Sequence, residues 1–197
     1  MTSPPPEAER ELAALVDAYR ATGNLGAVID GVRALGRRVT PEQLASASRP
    51  YRDMPEVTIP AYECIVAARP HDAQALVILA NAYWLTGRGP EVVGALAVRA
   101  IAADDANRGA WHLWALAESS VRGRVERWRR VTERFPDDQL ARAALADNAT
   151  SLAGAEHDPA ALDLAIATYD GLLAEATQPH QRAALESALA TLRGWKI

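Results

Sequence analysis

The chain has 197 residues, of which 49% are hydrophobic and only 6% aromatic, and its formal net charge is −4. Much of the apolar content is alanine, the residue with the highest helix propensity, so the composition favours an all-helical fold. The mild negative charge argues against a general nucleic-acid-binding protein. Cys64 is the only cysteine and Lys196 the only lysine, which excludes an intrachain disulfide and argues against Schiff-base chemistry.

The N-terminal residues show no pattern typical of a targeting or membrane segment. Residues 1–6 include three successive prolines, which favour extended backbone, and we predict a disordered lead there. No basic region precedes an apolar run, as in a secretory signal, and no apolar stretch approaches the roughly 20 residues of a membrane span. We therefore expect a cytoplasmic protein that does not bind membranes.

The first part of the chain predicts two regular helices, over 7–22 and 25–38. Thr40, Pro41 and Gln43 then have the spacing of a capping box with proline at the first helical position, which begins a short helix. Three further prolines make 41–60 the least regular segment, and its second half is either a loop or the proline-bent start of a helix. The next helix is predicted over 60–68.

Residues 73–105 form the clearest pair of helices in the sequence. Gly87 interrupts the helical pattern, and Pro90 suits the first turn of the second helix. The spacing of the apolar residues in the first helix is repeated near the N-terminus. The two sets are Leu76, Leu79, Ala80, Tyr83 and Gly87, and Leu12, Leu15, Val16, Tyr19 and Gly23. This order of side chains resembles the tetratricopeptide repeat, a helix-turn-helix unit of about 34 residues.

The rest of the chain continues the helical pattern. Asn107 can cap a helix that runs to about Val121, and Gly123 is predicted to separate it from a second helix over 125–134. Further helices are predicted over 138–153, 158–176 and 179–192, with a loop at 154–159. The last of these, within 179–194, has the leucine stripe expected of a helix that caps the open end of a repeat array.

The resemblance covers most of the chain and implies its architecture. We expect an all-α, right-handed α-solenoid of helix-turn-helix, tetratricopeptide-like repeats with a C-terminal capping helix. Residues 7–197 would form a single domain of roughly four units.

The resemblance also implies a binding surface, because the first helices of such repeats line a concave groove that binds peptides or helices of partner proteins. The groove positions carried over to this sequence are Gln74, Val77, Asn81, Trp84, His112, Leu116, Ser119 and Asp147. Asn81 could hold a peptide backbone through its amide, and Trp84 could anchor a partner. The alternative is that Asn81 is a polar residue on a solvated helix face.

Some proteins of this family clamp a partner's C-terminal carboxylate with basic residues around that asparagine. The corresponding neighbours here are Val77, Gly109 and Leu113, none of which is basic. This departure from the pattern favours a more apolar ligand segment.

A second candidate surface is the arginine-rich helix. Arg127, Arg130 and Arg134 lie on one helical face and could bind an acidic partner. The alternative is a solvated face whose arginine stems cover neighbouring aromatic rings.

Motifs of catalysis and of cofactor binding are missing from the sequence. The four histidines include no pair at i and i+4, and there is no nucleophile elbow, dinucleotide fingerprint or phosphate loop. We therefore predict no catalytic, metal or cofactor site, and a non-catalytic protein-interaction scaffold. The alternatives are a small-molecule- or metal-dependent activity around His112 and Asp147, or a structural homo-oligomer.

Overall fold

The computed structural model describes residues 6–197, and most of the lead predicted at 1–6 lies outside the described residues. Eleven α-helices, one short 3₁₀ helix and no strand make up the regular structure of this part of the chain. The helices are α1 (Glu7–Thr22), α2 (Leu25–Gly36), α3 (Pro41–Ser48), α4 (Pro55–Ala68), α5 (Ala73–Leu85), α6 (Pro90–Ala103), α7 (Arg108–Leu116), α8 (Val121–Arg134), α9 (Gln139–Glu156), α10 (Pro159–Glu175) and α11 (Pro179–Arg193). The 3₁₀ helix, Arg49–Tyr51, follows α3 directly. The prediction of an all-α fold is confirmed.

The helices form two compact units, Met1–Leu113 and Trp114–Ile197, with the boundary inside α7. In the first unit α1 packs on α2 and α3, α4 packs on α2, α3 and α5, and α5 packs on α6. In the second unit α8, α9, α10 and α11 pack in chain order. Each unit is therefore built from helices that pack on near neighbours along the chain, while the assignment of 7–197 to a single domain stays a prediction.

Helix starts are fixed by side chains that satisfy the free backbone N–H groups of the first turn. Asn24, Asp72, Ser120, Asp138 and Asp158 each accept a hydrogen bond from the backbone N–H three residues on. The predicted capping box before α3 is present, with the Thr40 and Gln43 side chains bonding each other's backbone N–H. Local sequence therefore sets most of these boundaries.

Two glycines allow close approach of helices in the first unit. A Cβ atom at Gly31 would lie 2.5 Å from the Leu15 side chain, between α1 and α2. A Cβ at Gly36 would lie 2.9 Å from Cys64 Sγ on α4 and 3.1 Å from Leu44 on α3. Larger side chains would push these helices apart, because protein interiors are close-packed.

The start of α4 differs from the prediction. Helix α4 begins at Pro55 rather than Pro60, so Pro60 lies inside the helix and is buried. The proline removes one backbone hydrogen bond, but packing around it compensates. Val57 and Ala61 are fully buried, and the buried Thr58 hydroxyl donates to the Tyr51 carbonyl at 2.9 Å. Of the two readings of 49–60, the proline-containing helix is therefore the correct one.

The boundary between α7 and α8 was predicted wrongly. Helix α7 ends at Leu116 rather than near Val121, and Gly123 lies in the first turn of α8 instead of separating two helices. Ser120 makes the difference, because its hydroxyl accepts the Gly123 N–H at 3.0 Å and caps α8. The Arg124 guanidinium also donates to the carbonyls of Glu118 and Ser119 in the connection.

The prediction of a loop at 154–159 was also wrong. Helix α9 continues to Glu156, and His157 ends the helix in the left-handed conformation (φ 51°). Gly154 lies inside the helix, and a Cβ atom there would be in van der Waals contact with the Trp195 ring at 3.4 Å. Helix α11 packs on α10 and buries Leu189 and Leu192.

No helix in 6–197 combines the length and apolarity needed to cross a membrane.

Candidate functional site

A cleft in the first unit lies beside the predicted groove residues of α5. It consists of two adjoining cavities of about 440 and 280 Å³ that share Ser46 and Arg49. Helix α1 and the α3–3₁₀ segment line the larger cavity, and α3, α4 and α5 line the smaller one. We refer to this pair of cavities as the cleft.

Most polar groups along the cleft are held by neighbours. Ser46 Oγ donates to Glu9 Oε1 at 2.9 Å, which joins α3 to α1. Arg69 forms an ion pair with Glu42. Asp72 accepts the Ala75 N–H at 2.9 Å as the cap of α5. The walls of the cleft are therefore braced before any ligand is present.

The predicted groove residues of α5 lie together on one side of the helix and adjoin the cleft. With about 3.6 residues per turn, Gln74, Val77, Asn81 and Trp84 fall within an arc of about 80°. Gln74 lines the smaller cavity, and Asn81 and Trp84 are exposed, the latter by 37%. Val77 is half-buried. An amide and an indole are thus presented beside the cleft by a rigid helix.

The opposite side of α5 is fixed by a polar network. The Tyr83 hydroxyl donates to Glu63 Oε1 at 2.8 Å, and Arg33 forms an ion pair with Glu63 Oε2 at 3.1 Å. The Arg88 guanidinium lies 4.6 Å from the centre of the Tyr83 ring. Burial, followed by the hydrogen bond to Glu63, raises the pKa of Tyr83 to about 12. This network ties α2, α4 and α5 together and orients the exposed face of α5.

The remaining groove predictions lie elsewhere in the chain. His112 is half-buried on α7, in the first unit. Leu116 is the last residue of α7 and is 36% exposed, whereas Ser119 lies in the connection to α8. Asp147, on α9, accepts a hydrogen bond from the Tyr169 hydroxyl. Burial, then this bond, raises the pKa of Tyr169 to about 12. Asp147 is thus engaged by its own unit, and the binding roles of these residues stay predictions.

The arginine face of α8 is less uniform than its sequence indicates. Arg127 donates to the Trp114 carbonyl at 2.6 Å, pairs with Glu118 at 2.7 Å and lies over the Trp114 ring at 4.8 Å. Arg134 lies over the ring of Phe135 at 5.4 Å. Arg130 is exposed. Arg127 therefore joins α7 to α8, and the role of this face in binding an acidic partner stays a proposal.

Metal ligands do not come together in the described part of the chain. In residues 6–197, no group of three or more His, Cys, Asp or Glu side chains could hold a metal ion.

Several residues that line the cleft are ones that the repeat pattern does not mark. Ser46 belongs to the predicted short helix α3, and Arg49 and Tyr51 follow it in a segment that the sequence indicated only as irregular. The available signal was local: arginines at 49 and 52 with proline and tyrosine between them, directly after a capped short helix.

Comparison with known proteins identifies the architecture. No family model matches the chain, and no curated protein matches its sequence. The crystal structure of MamA superposes with a TM-score of 0.58 at 16% identity, over 83% of this chain and 93% of MamA. TTC0263, a thermophilic TPR protein of Thermus thermophilus, superposes with a TM-score of 0.54 at 18% identity, over 94% of this chain and 98% of TTC0263.

A tetratricopeptide repeat protein from Parabacteroides merdae superposes with a TM-score of 0.50 at 11% identity, over 95% of this chain and 88% of its own. The fold is that of a tetratricopeptide-like helical repeat protein. The prediction of an all-α solenoid of helix-turn-helix repeats is thereby confirmed. At these identities the likeness concerns the fold alone, so function must be argued from the chain's own residues.

Proposed function

We propose that this protein is a non-catalytic scaffold that binds a peptide or helical segment of a partner protein along the cleft and the adjoining face of α5. The observation that carries the proposal is that the smaller cavity reaches Gln74, which lies on the same face of α5 as the exposed Asn81 and Trp84. Both side chains stand on a helix that the Tyr83–Glu63 bond holds in place. A preordered receptor loses little conformational entropy on binding, which favours recognition of a flexible segment.

The test uses a random peptide library of 12-residue segments, displayed on phage and selected against the full chain. A selected peptide is then titrated by calorimetry against the wild type, Asn81→Ala and Trp84→Ala. We expect Asn81→Ala to weaken binding by about 1–3 kcal/mol, because the peptide backbone loses its partner. Trp84→Ala should cost about 2 kcal/mol or more, as truncation of an aromatic anchor.

Val98→Ala is the matched control. Its side chain is 52% exposed on α6 and lines neither cavity of the cleft. It should leave affinity unchanged. Asn81→Ala and the control should unfold near the wild-type temperature because the replaced groups are exposed. Trp84→Ala removes a ring that is only 37% exposed, so it should lower the unfolding temperature somewhat, and its affinity is compared at a temperature where the variant is folded. Full affinity in both groove variants, or equal losses in the control, would refute the proposal.

The cytoplasmic location, the homo-oligomer and the activity around His112 and Asp147 stay predictions from the sequence. Either of these two side chains could bind a small molecule, but Asp147 already accepts the Tyr169 hydroxyl. No observation favours these alternatives over the scaffold.

A further inference from the structure

Two arginines, Arg49 and Arg52, line the cleft from the segment that follows α3. The 3₁₀ helix Arg49–Tyr51 begins with the first of them, and the backbone stays helical at Arg52 (φ −64°, ψ −22°). A 3₁₀ helix has about three residues per turn, so positions i and i+3 lie above one another on the same side. Both arginines accordingly line the smaller cavity, and Arg49 also lines the larger one.

These two guanidinium groups differ from the other charges of the cleft in lacking a partner. Each carboxylate that lines the cavities is engaged: Glu9 by Ser46, Glu42 by Arg69, and Asp72 by the first turn of α5. Arg49 and Arg52 are exposed, and their guanidinium groups make no hydrogen bond or ion pair within residues 6–197. Four arginines and three carboxylates line the two cavities, so the lining carries a net positive charge in a chain whose net charge is −4.

The arginines of α8 show the contrast. Arg122 binds Glu156 and Asp158, Arg124 binds Asn148, and Arg129 pairs with Glu126. Together with Arg127, these side chains stabilise their own unit. Most arginines of α8 therefore already bind groups of the protein itself, whereas Arg49 and Arg52 are available to a ligand.

We infer that the cleft selects extended peptide segments that carry two carboxylates, in the order acidic–x–acidic, an inference that rests on the proposed function. A guanidinium binds a carboxylate through two parallel hydrogen bonds, which arginine makes better than lysine. At about 2 Å rise per residue, Arg49 and Arg52 are spaced by about 6 Å along the 3₁₀ axis. In an extended peptide, side chains at i and i+2 point to the same side and lie about 6.6 Å apart.

The inferred site differs from a clamp built around Asn81. The basic groups come from the irregular segment after α3, and Asn81 and Trp84 lie farther along α5. An acidic pair at Arg49 and Arg52 leaves the following residues of the peptide to reach α5. The peptide chemistry is therefore acidic at one end and apolar at the other.

The experiment selects the random 12-residue phage library in parallel against the full wild-type chain and the double variant Arg49→Gln/Arg52→Gln. Wild-type selection should enrich Asp and Glu at i and i+2, and the variant should lose that enrichment. A synthetic selected peptide, labelled with a fluorophore, is then measured by polarisation. We expect about a tenfold or greater loss of affinity for the variant, and a similar loss when the peptide's two acidic residues are changed to Gln.

The matched control is Arg37→Gln/Lys196→Gln, which removes the same charge from two exposed basic side chains outside the cleft and outside the arginine face of α8. It should bind the peptide like the wild type, with the same salt dependence. Equal loss in this control would place the acidic peptide elsewhere and overturn the inference. Arg49→Lys/Arg52→Lys keeps the charge but not the paired hydrogen bonds, so it should bind the peptide with intermediate affinity. If the glutamine variant misfolds, this lysine variant replaces it in the affinity measurement.

The outcomes also separate this inference from the proposed function. Selected peptides without acidic residues, whose binding still requires Asn81 and Trp84, would overturn the acidic specificity and leave the scaffold intact. Selection of no peptide at all would overturn both.

Discussion

Arg127 illustrates how one side chain can have a structural role that its sequence context hides. Its guanidinium joins a carbonyl, a carboxylate and an indole ring, and its side chain is only 28% exposed. We expect Arg127→Gln to destabilise the protein by about 1–3 kcal/mol, since it removes a charge-assisted hydrogen bond and a cation–π contact. Arg130→Gln should change stability by less than about 0.5 kcal/mol. Urea unfolding of both variants checks this, and equal midpoints would disprove the structural role.

The pKa shifts of two tyrosines predict how the free energy of unfolding changes at alkaline pH. The fold raises the pKa of Tyr83 and of Tyr169 from 10.0 to about 12, so it disfavours the ionised phenol. Their contribution is fully present below pH 10 and is lost as the pH rises towards 12. The double variant Tyr83→Phe/Tyr169→Phe should therefore show a shallower decline of the unfolding midpoint across this range. A decline as steep as in the wild type would mean that other groups dominate.

Among the helices, two glycines allow the effect of packing on stability to be measured separately from the effect of helix propensity. Gly36 adjoins Cys64 and Leu44, whereas a Cβ at Gly171, inside α10, would meet nothing within 4 Å. Gly36→Ala should destabilise the protein by about 1–3 kcal/mol through overpacking. Gly171→Ala should stabilise it by about 0.4–1 kcal/mol, because alanine favours the helix. Thermal unfolding of the pair decides; a shift of the same sign in both would refute the packing argument.

The accuracy of the sequence-based helices depends on how local their causes are. The starts of α3 and α10 were predicted because capping residues and proline act within one turn. The starts of α4 and α8 were missed. The apolar burial around Pro60 outweighs the low helix propensity of proline. The Ser120 hydroxyl accepts the Gly123 backbone N–H, which starts α8 and prevents α7 from continuing.

The candidate site shows the same division. The face of α5 followed from helical periodicity and the repeat pattern, because the relevant residues lie within four turns of one helix. The cleft did not follow, because it brings Glu9 and Ser46 together across 37 positions. Two of its arginines, Arg49 and Arg52, lie where the repeat pattern fails, so no motif marked them.

At the scale of the whole molecule, the C-terminal helix has the contacts of a cap for the second unit. Leu189 and Leu192 are buried, and Arg193 bonds both carboxylate oxygens of Asp170 on α10 at 2.8 Å. Arg182 also donates to the carbonyls of Leu173 and Ala176, at 3.1 and 3.2 Å. The helix thus combines apolar burial with satisfaction of the last carbonyls of α10.

Removal of residues 178–197 should therefore destabilise the protein and expose the apolar side of α10. Loss of two buried leucines alone corresponds to roughly 3–6 kcal/mol of apolar burial. The freed surface should also promote association, because an uncapped repeat exposes a contiguous apolar face. Urea unfolding and light scattering after size exclusion measure both effects. Arg193→Gln, which removes only an exposed ion pair, is the control and should cost less than about 1 kcal/mol. A truncated chain that remained monodisperse with the wild-type midpoint would rule out the capping role.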